Sequence, residues 1–103
     1  MPQETDIATR FCLRGEQTVR TIAETHHALS AVYDTSCVVT IDASDVSEAD
    51  LTAIQLIESV RRSAARDGKR LCMASLPSTA LRELLTRGGF LESPDNALFW
   101  TAP

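Results

Sequence analysis

Few residues in this chain have the type and spacing that chemistry demands. His26 and His27 are neighbours, and adjacent helical side chains diverge by about 100°, so the two imidazoles do not converge on one metal ion. His26 keeps step with an apolar stripe and reads as a core residue with its tip at the rim, while His27 faces water. Cys12, Cys37 and Cys72 stand far apart with no CxxC among them, which excludes a zinc knuckle and a dithiol redox pair. Each falls within an apolar run, where a reduced cysteine acts as a small hydrophobe. No nucleophile elbow, phosphate-binding loop or dinucleotide fingerprint occurs. Gly88-Gly89 is a tight glycine pair and reads as a helix stop. No catalytic residue, metal or cofactor is expected, and the chain is not read as an enzyme.

Asp42 ends a β-branched run, where a receiver domain would keep its phosphoacceptor. That scheme also needs an acidic pair after the first strand and a lysine after the last. Here Gly15-Glu16 and Thr101-Ala102-Pro103 stand at those places, and the chain is too short for five repeats.

Composition narrows the functional classes. With 103 residues, 44% of them hydrophobic and 23% charged, the chain suits one domain with one core, 1–103 with the core about 7–101. The net charge of -4 argues against nucleic acid as the main target. Arg61, Arg62 and Arg66 are read as a solvated helix face. Met1–Asp6 is polar, with no apolar h-region behind it, and no apolar run approaches a bilayer span. A soluble, cytoplasmic protein without direct membrane insertion is expected.

The elements that would position a site follow from periodicity. Residues 7–14 alternate loosely and stop at Gly15, as a strand does before a turn. Val19, Ile22, His26, Leu29 and Tyr33 recur at helical spacing behind Thr18, a candidate cap. Cys37–Ile41 is β-branched, as in a strand buried on both faces. A polar connection, Asp42–Glu48, then leads to a second helix capped by Asp50, with Ala53, Ile54, Ile57, Val60 and Ala64 as its stripe and Gly68 as its stop. Lys69–Leu76 reads as a third strand. Pro77 and Ser78 open a third helix bearing Leu81, Leu84 and Leu85 and ending at Gly88-Gly89, with Phe90 able to pack back on its last turn. Ala97–Thr101 reads as a terminal strand. Strands alternating with helices predict an α/β fold with a mostly parallel four-stranded sheet, with or without a short extra N-terminal strand, packed by three or four helices.

This order resembles the STAS domain, the family of anti-sigma-factor antagonists and of the cytoplasmic tails of sulfate transporters. Three stretches carry the resemblance. Leu13-Arg14-Gly15-Glu16 with Val19…Ala23-Glu24 is similar to the family's strand exit into helix one. Val39-Thr40-Ile41-Asp42-Ala43-Ser44-Asp45-Val46 is similar to its second strand and loop. Leu76-Pro77-Ser78-Thr79-Ala80-Leu81-Arg82-Glu83-Leu84-Leu85 with Gly88-Gly89-Phe90 is similar to its closing segment.

The resemblance implies protein binding rather than catalysis. In the antagonists, a serine or threonine at the start of helix two is phosphorylated by a partner kinase, in a motif Asp-Ser/Thr-Ser/Thr/Ala-Gly. The matching positions are Asp50-Leu51-Thr52-Ala53: Asp50 is kept, Leu51 replaces the acceptor and Ala53 the glycine. Thr52 and Ser47 are the substitute hydroxyls. The implied partner surface is Ser47, Glu48, Asp50, Leu51 and Thr52. The implied partner is a kinase-type anti-sigma factor or a related signalling or transport protein. Family alternatives are a STAS subunit of a lipid-transport ABC system, a member of a chemotaxis or stress-signalling complex, and a small-ligand sensor. A homodimer is left open.

Overall fold

A computed structural model describes residues 8–101. Three strands, β1 (Ala8–Gln17), β2 (Val38–Ala49) and β3 (Arg70–Met73), form one parallel sheet in the order β1-β2-β3. Helices α1 (Ile22–Thr35) and α2 (Leu51–Asp67) connect them, and α3 (Thr79–Arg87) and α4 (Pro94–Thr101) follow. The extra N-terminal strand left open above lies outside the described residues.

Period-2 alternation divides the sheet. Leu13 of β1, Val39, Ile41 and Ala43 of β2 and Met73 of β3 are buried, and they share one cluster with Leu29, Ile54, Ile57, Leu81, Leu85 and Trp100 from the four helices. The alternate positions, Arg10, Cys12 and Arg14 on β1 and Thr40 and Asp42 on β2, are exposed or half-buried. Expectations about the cysteines are corrected by this division: Cys12 is exposed, and Cys37 and Cys72 are half-buried. Cys12 and Cys72 alternate with the inward-facing Leu13 and Met73, which places them on the outer face.

The terminal strand is also corrected. Residues 94–101 form α4, so among the described residues the sheet has three strands where four were expected. Pro94 has a fixed φ suited to a first helical turn, the Ala97 amide donates to Ser93 O at 2.9 Å, and the turn carries Trp100 fully into the core. A run as short as Ala97–Thr101 has no period of its own, and burial of its indole decides the conformation.

The polar stretch Asp42–Glu48, expected as a loop, belongs to β2. Ala43 and Val46 point inward from it, and β1 accompanies it past Gly15 through two register irregularities, Cys12/Arg14 and Gly15/Glu16. Gly15 takes φ +66° there, a conformation that costs glycine nothing.

Thr18 is not the cap of α1. That position belongs to Thr21, whose side chain makes no capping bond, while the Thr18 carbonyl accepts from the Thr21 and Ile22 amides at 2.9 and 2.8 Å. With the helix starting at Ile22, Val19 stands in the preceding turn and is exposed. His26 is exposed as well, off the buried line of Leu29. The other stops and caps stand as expected: Gly68 ends α2 at φ +73°, and Ser78 Oγ accepts from the Leu81 amide at the start of α3.

Candidate functional site

The last residue pairs of β1 and β2 bring two chain corners together. Gln17 lies beside Ala49 at the end of the ladder, and the Asp50 amide donates to Gln17 O at 3.3 Å. The β1–α1 turn and the start of α2 thus emerge side by side.

Asp50 joins them. It is extended (φ -129°, ψ -174°), which turns its carboxylate back over the first turn of α2. One oxygen, Oδ1, accepts from the Thr52 amide at 3.0 Å and also from the Thr52 hydroxyl. The other, Oδ2, accepts from the Val19 amide at 2.9 Å. An N-cap of this kind is worth about 1 kcal/mol because it satisfies a donor the helix leaves unpaired. The Thr52 hydroxyl and the Val19 amide hold the Asp50 carboxyl below its ordinary range, so it is charged at neutral pH.

Around this capped end the predicted residues divide. Ala53 is buried and Thr52 half-buried, its hydroxyl committed to Asp50. Ser47 and Glu48 are exposed. Leu51 is 48% exposed, so it presents an apolar side chain to solvent instead of folding under into the core.

Residues not assigned to the site from the sequence complete the corner. Val19 is 69% exposed and sits on the Asp50 carboxylate through its amide. Gln17 is buried; its amide group donates to Arg14 O at 2.8 Å and its side-chain oxygen accepts from Thr25 Oγ1 at 2.7 Å. Glu16 binds the Thr18 hydroxyl at 2.6 Å and the Arg20 guanidinium at 3.0–3.2 Å, which lowers its pKa. A cue was present in the sequence, Gly15-Glu16 with three hydroxyls close behind it, but nothing there locates the turn beside Asp50.

Two other features stand apart from this corner. Asp42 lies on the outer face of the sheet, where the Ser44 hydroxyl and amide and then Arg10 lower its pKa to about 2. An open groove of about 760 Å³ runs along α3, lined by Leu76, Arg82, Arg87, Leu91 and Thr101 among others, and none of the predicted site residues reaches it.

A family model described as "Mlab, STAS domain" matches residues 1–92. The chain belongs to the STAS domain family. Among solved structures, this STAS domain is similar to the anti-sigma factor antagonist SpoIIAA in its unphosphorylated form, with a TM-score of 0.64 and 16% identity over 80% of this chain and 73% of that one. At that identity the likeness concerns the fold. No curated protein matches the chain in sequence. STAS membership makes this a regulatory fold of the protein-interaction kind, and among the described residues no helix is long and apolar enough to cross a membrane.

Proposed function

We propose that this STAS domain is a regulatory protein-binding module that docks a kinase-type anti-sigma factor, or another signalling protein, on Ser47, Glu48, Asp50, Leu51 and Thr52. Leu51 carries the reading. An apolar side chain, half-exposed on the first residue of a capped helix and outside the core cluster, is well placed as an anchor for a partner.

Leu51 also bears on regulation. A phosphate at a helix start is favoured locally by the free amides and the dipole, and its charge repels an apolar or acidic partner. Leucine has no hydroxyl to carry one. The switch at this corner is therefore lost, or it has moved to Thr52 or Ser47. Phosphopeptide mass spectrometry of protein from native cells decides between these: phosphate on either residue defeats the lost-switch version.

Affinity capture from the native cell, repeated with Leu51→Asp, tests the surface. The fold tolerates the charge at a helix start, and the main partner is expected to disappear from the eluate. An unchanged set of partners overturns the reading.

The missing hydroxyl also favours a second reading, a standing subunit of a lipid-transport ABC system, which needs no phosphoswitch. The captured partner separates the two: a serine-kinase ATPase supports the first, an ABC ATPase the second.

A further inference from the structure

The partner surface does not end at α2. We propose that the β1–α1 turn, through Val19, forms a second apolar contact on the same surface, and that the whole corner fits a protein partner with an apolar knob rimmed by lysine or arginine. The proposal deepens the protein-binding reading above and rests on it.

Val19 is the most exposed large hydrophobic side chain among the described residues, at 69%. It stands in a turn whose amide is fixed to the carboxylate that caps α2, so Val19 and Leu51 flank one residue, Asp50. The turn is held in several ways: Thr18 and Arg20 bind Glu16, and the Thr21 hydroxyl donates to Glu16 O at 2.9 Å. An apolar side chain displayed on a braced turn loses little conformational entropy on contact, which favours an anchor over a mobile surface residue.

Charge specifies the partner. Arg20 is the cation of the turn, and both Glu16 oxygens engage it. The carboxylates of Asp45 and Glu48, on the approach to α2, are exposed and have no partner among the described residues. Arg14 stands opposite Asp45 in the β1–β2 ladder, whereas Glu48 stands opposite another carboxylate, Glu16. Two apolar contacts beside Glu48 therefore favour a basic rim on the other protein.

Photo-cross-linking in the native cell tests the proposal, with p-benzoylphenylalanine placed singly at Val19, at Leu51 and at Leu98. Leu98 is the control, 66% exposed on α4. Circular dichroism of each purified variant checks the fold. Val19 and Leu51 are expected to mark the same protein, on peptides bearing lysine or arginine beside the attachment point, while Leu98 does not. If Leu51 marks a protein and Val19 marks none, or a different one, the second contact is overturned while the protein-binding reading stands. If both mark one protein at acidic peptides, the proposed partner chemistry is wrong. If neither marks any protein, both readings fall.

Discussion

The Val19 amide donates to Asp50 Oδ2 at 2.9 Å, while the other oxygen of the same carboxylate caps α2. Two corners that are 31 residues apart in sequence are therefore held by one side chain.

Substitution at Asp50 separates the two functions. Asparagine is a good N-cap, so Asp50→Asn keeps an oxygen for the Thr52 amide but turns an NH2 toward the Val19 amide, donor against donor. Hydrogen exchange at Val19 is expected to accelerate at least tenfold with the first turn of α2 intact. Asp50→Ala loses both partners, costs about 1–2 kcal/mol and lowers Tm by roughly 4–8 °C for each kcal/mol. Equal protection of Val19 in the wild type and Asp50→Asn would mean that the bond contributes nothing to the turn.

Acid stability follows from Asp42. Its folded pKa is lowered from the ordinary 3.8 to about 2, chiefly by the Ser44 hydroxyl and amide and then by Arg10. Because the folded value is the depressed one, the contribution is fully present above the unfolded pKa and is lost as pH falls from about 4 to about 2. Asp50, shifted in the same direction, adds to the same loss. Urea unfolding across this range is expected to show a steep fall in the wild type and a shallower one in Asp42→Asn, which is already less stable at pH 7. Parallel curves would rule out the Asp42 linkage.

Much of this fold was legible because its signals are local. Asp50, Gly68 and Ser78 each satisfy or end a helix by their own chemistry, and the stripe of Ala53, Ile54 and Ile57 has a period that only a helix buries on one side. Two kinds of feature were not legible. The extension of β2 through Asp42–Ala49 depends on pairing with β1 and on the turn freedom of Gly15, both non-local. Residues 97–101 contain too few positions to distinguish period 2 from period 3.6, and only the pocket awaiting Trp100 decides. At the candidate site, the chemistry of Asp50, Leu51 and Thr52 could be read directly. The arrival of Val19 beside them could not, since it depends on two parallel strands ending level.

The end of α3 gives a steric prediction. A Cβ placed on Gly88 would lie 2.6 and 2.8 Å from two ring carbons of Phe90, whose amide returns to Leu85 O at 3.0 Å. The backbone of Gly88 is ordinary (φ -83°), so any cost of Gly88→Ala comes from the ring. We expect a loss of about 1–3 kcal/mol by urea unfolding. In Phe90→Ala the clash is absent, and Gly88→Ala is expected to be neutral or slightly stabilising there. Additive losses in the double variant would show that the ring is not the cause.

Trp100 is the single tryptophan of the chain, fully buried, and its indole N–H donates to Glu58 Oε2 at 2.9 Å. Glu58 also faces Arg61, which donates to Asn96 at 2.8 Å and stacks 4.6 Å from the centre of the Phe99 ring. Helix α4 is thus tied to α2 by a polar clasp beside an apolar plug. Glu58→Leu leaves the buried indole N–H without its acceptor, at a cost of about 1–3 kcal/mol. Glu58→Gln keeps a neutral acceptor and costs less. Native emission is expected to be blue-shifted in the wild type and in both variants, because the indole stays within the buried core cluster. The red shift should coincide with loss of far-ultraviolet dichroism in the wild type. In Glu58→Leu, a red shift preceding that loss would show α4 releasing before the sheet unfolds, and would make the clasp the weakest seam of the domain.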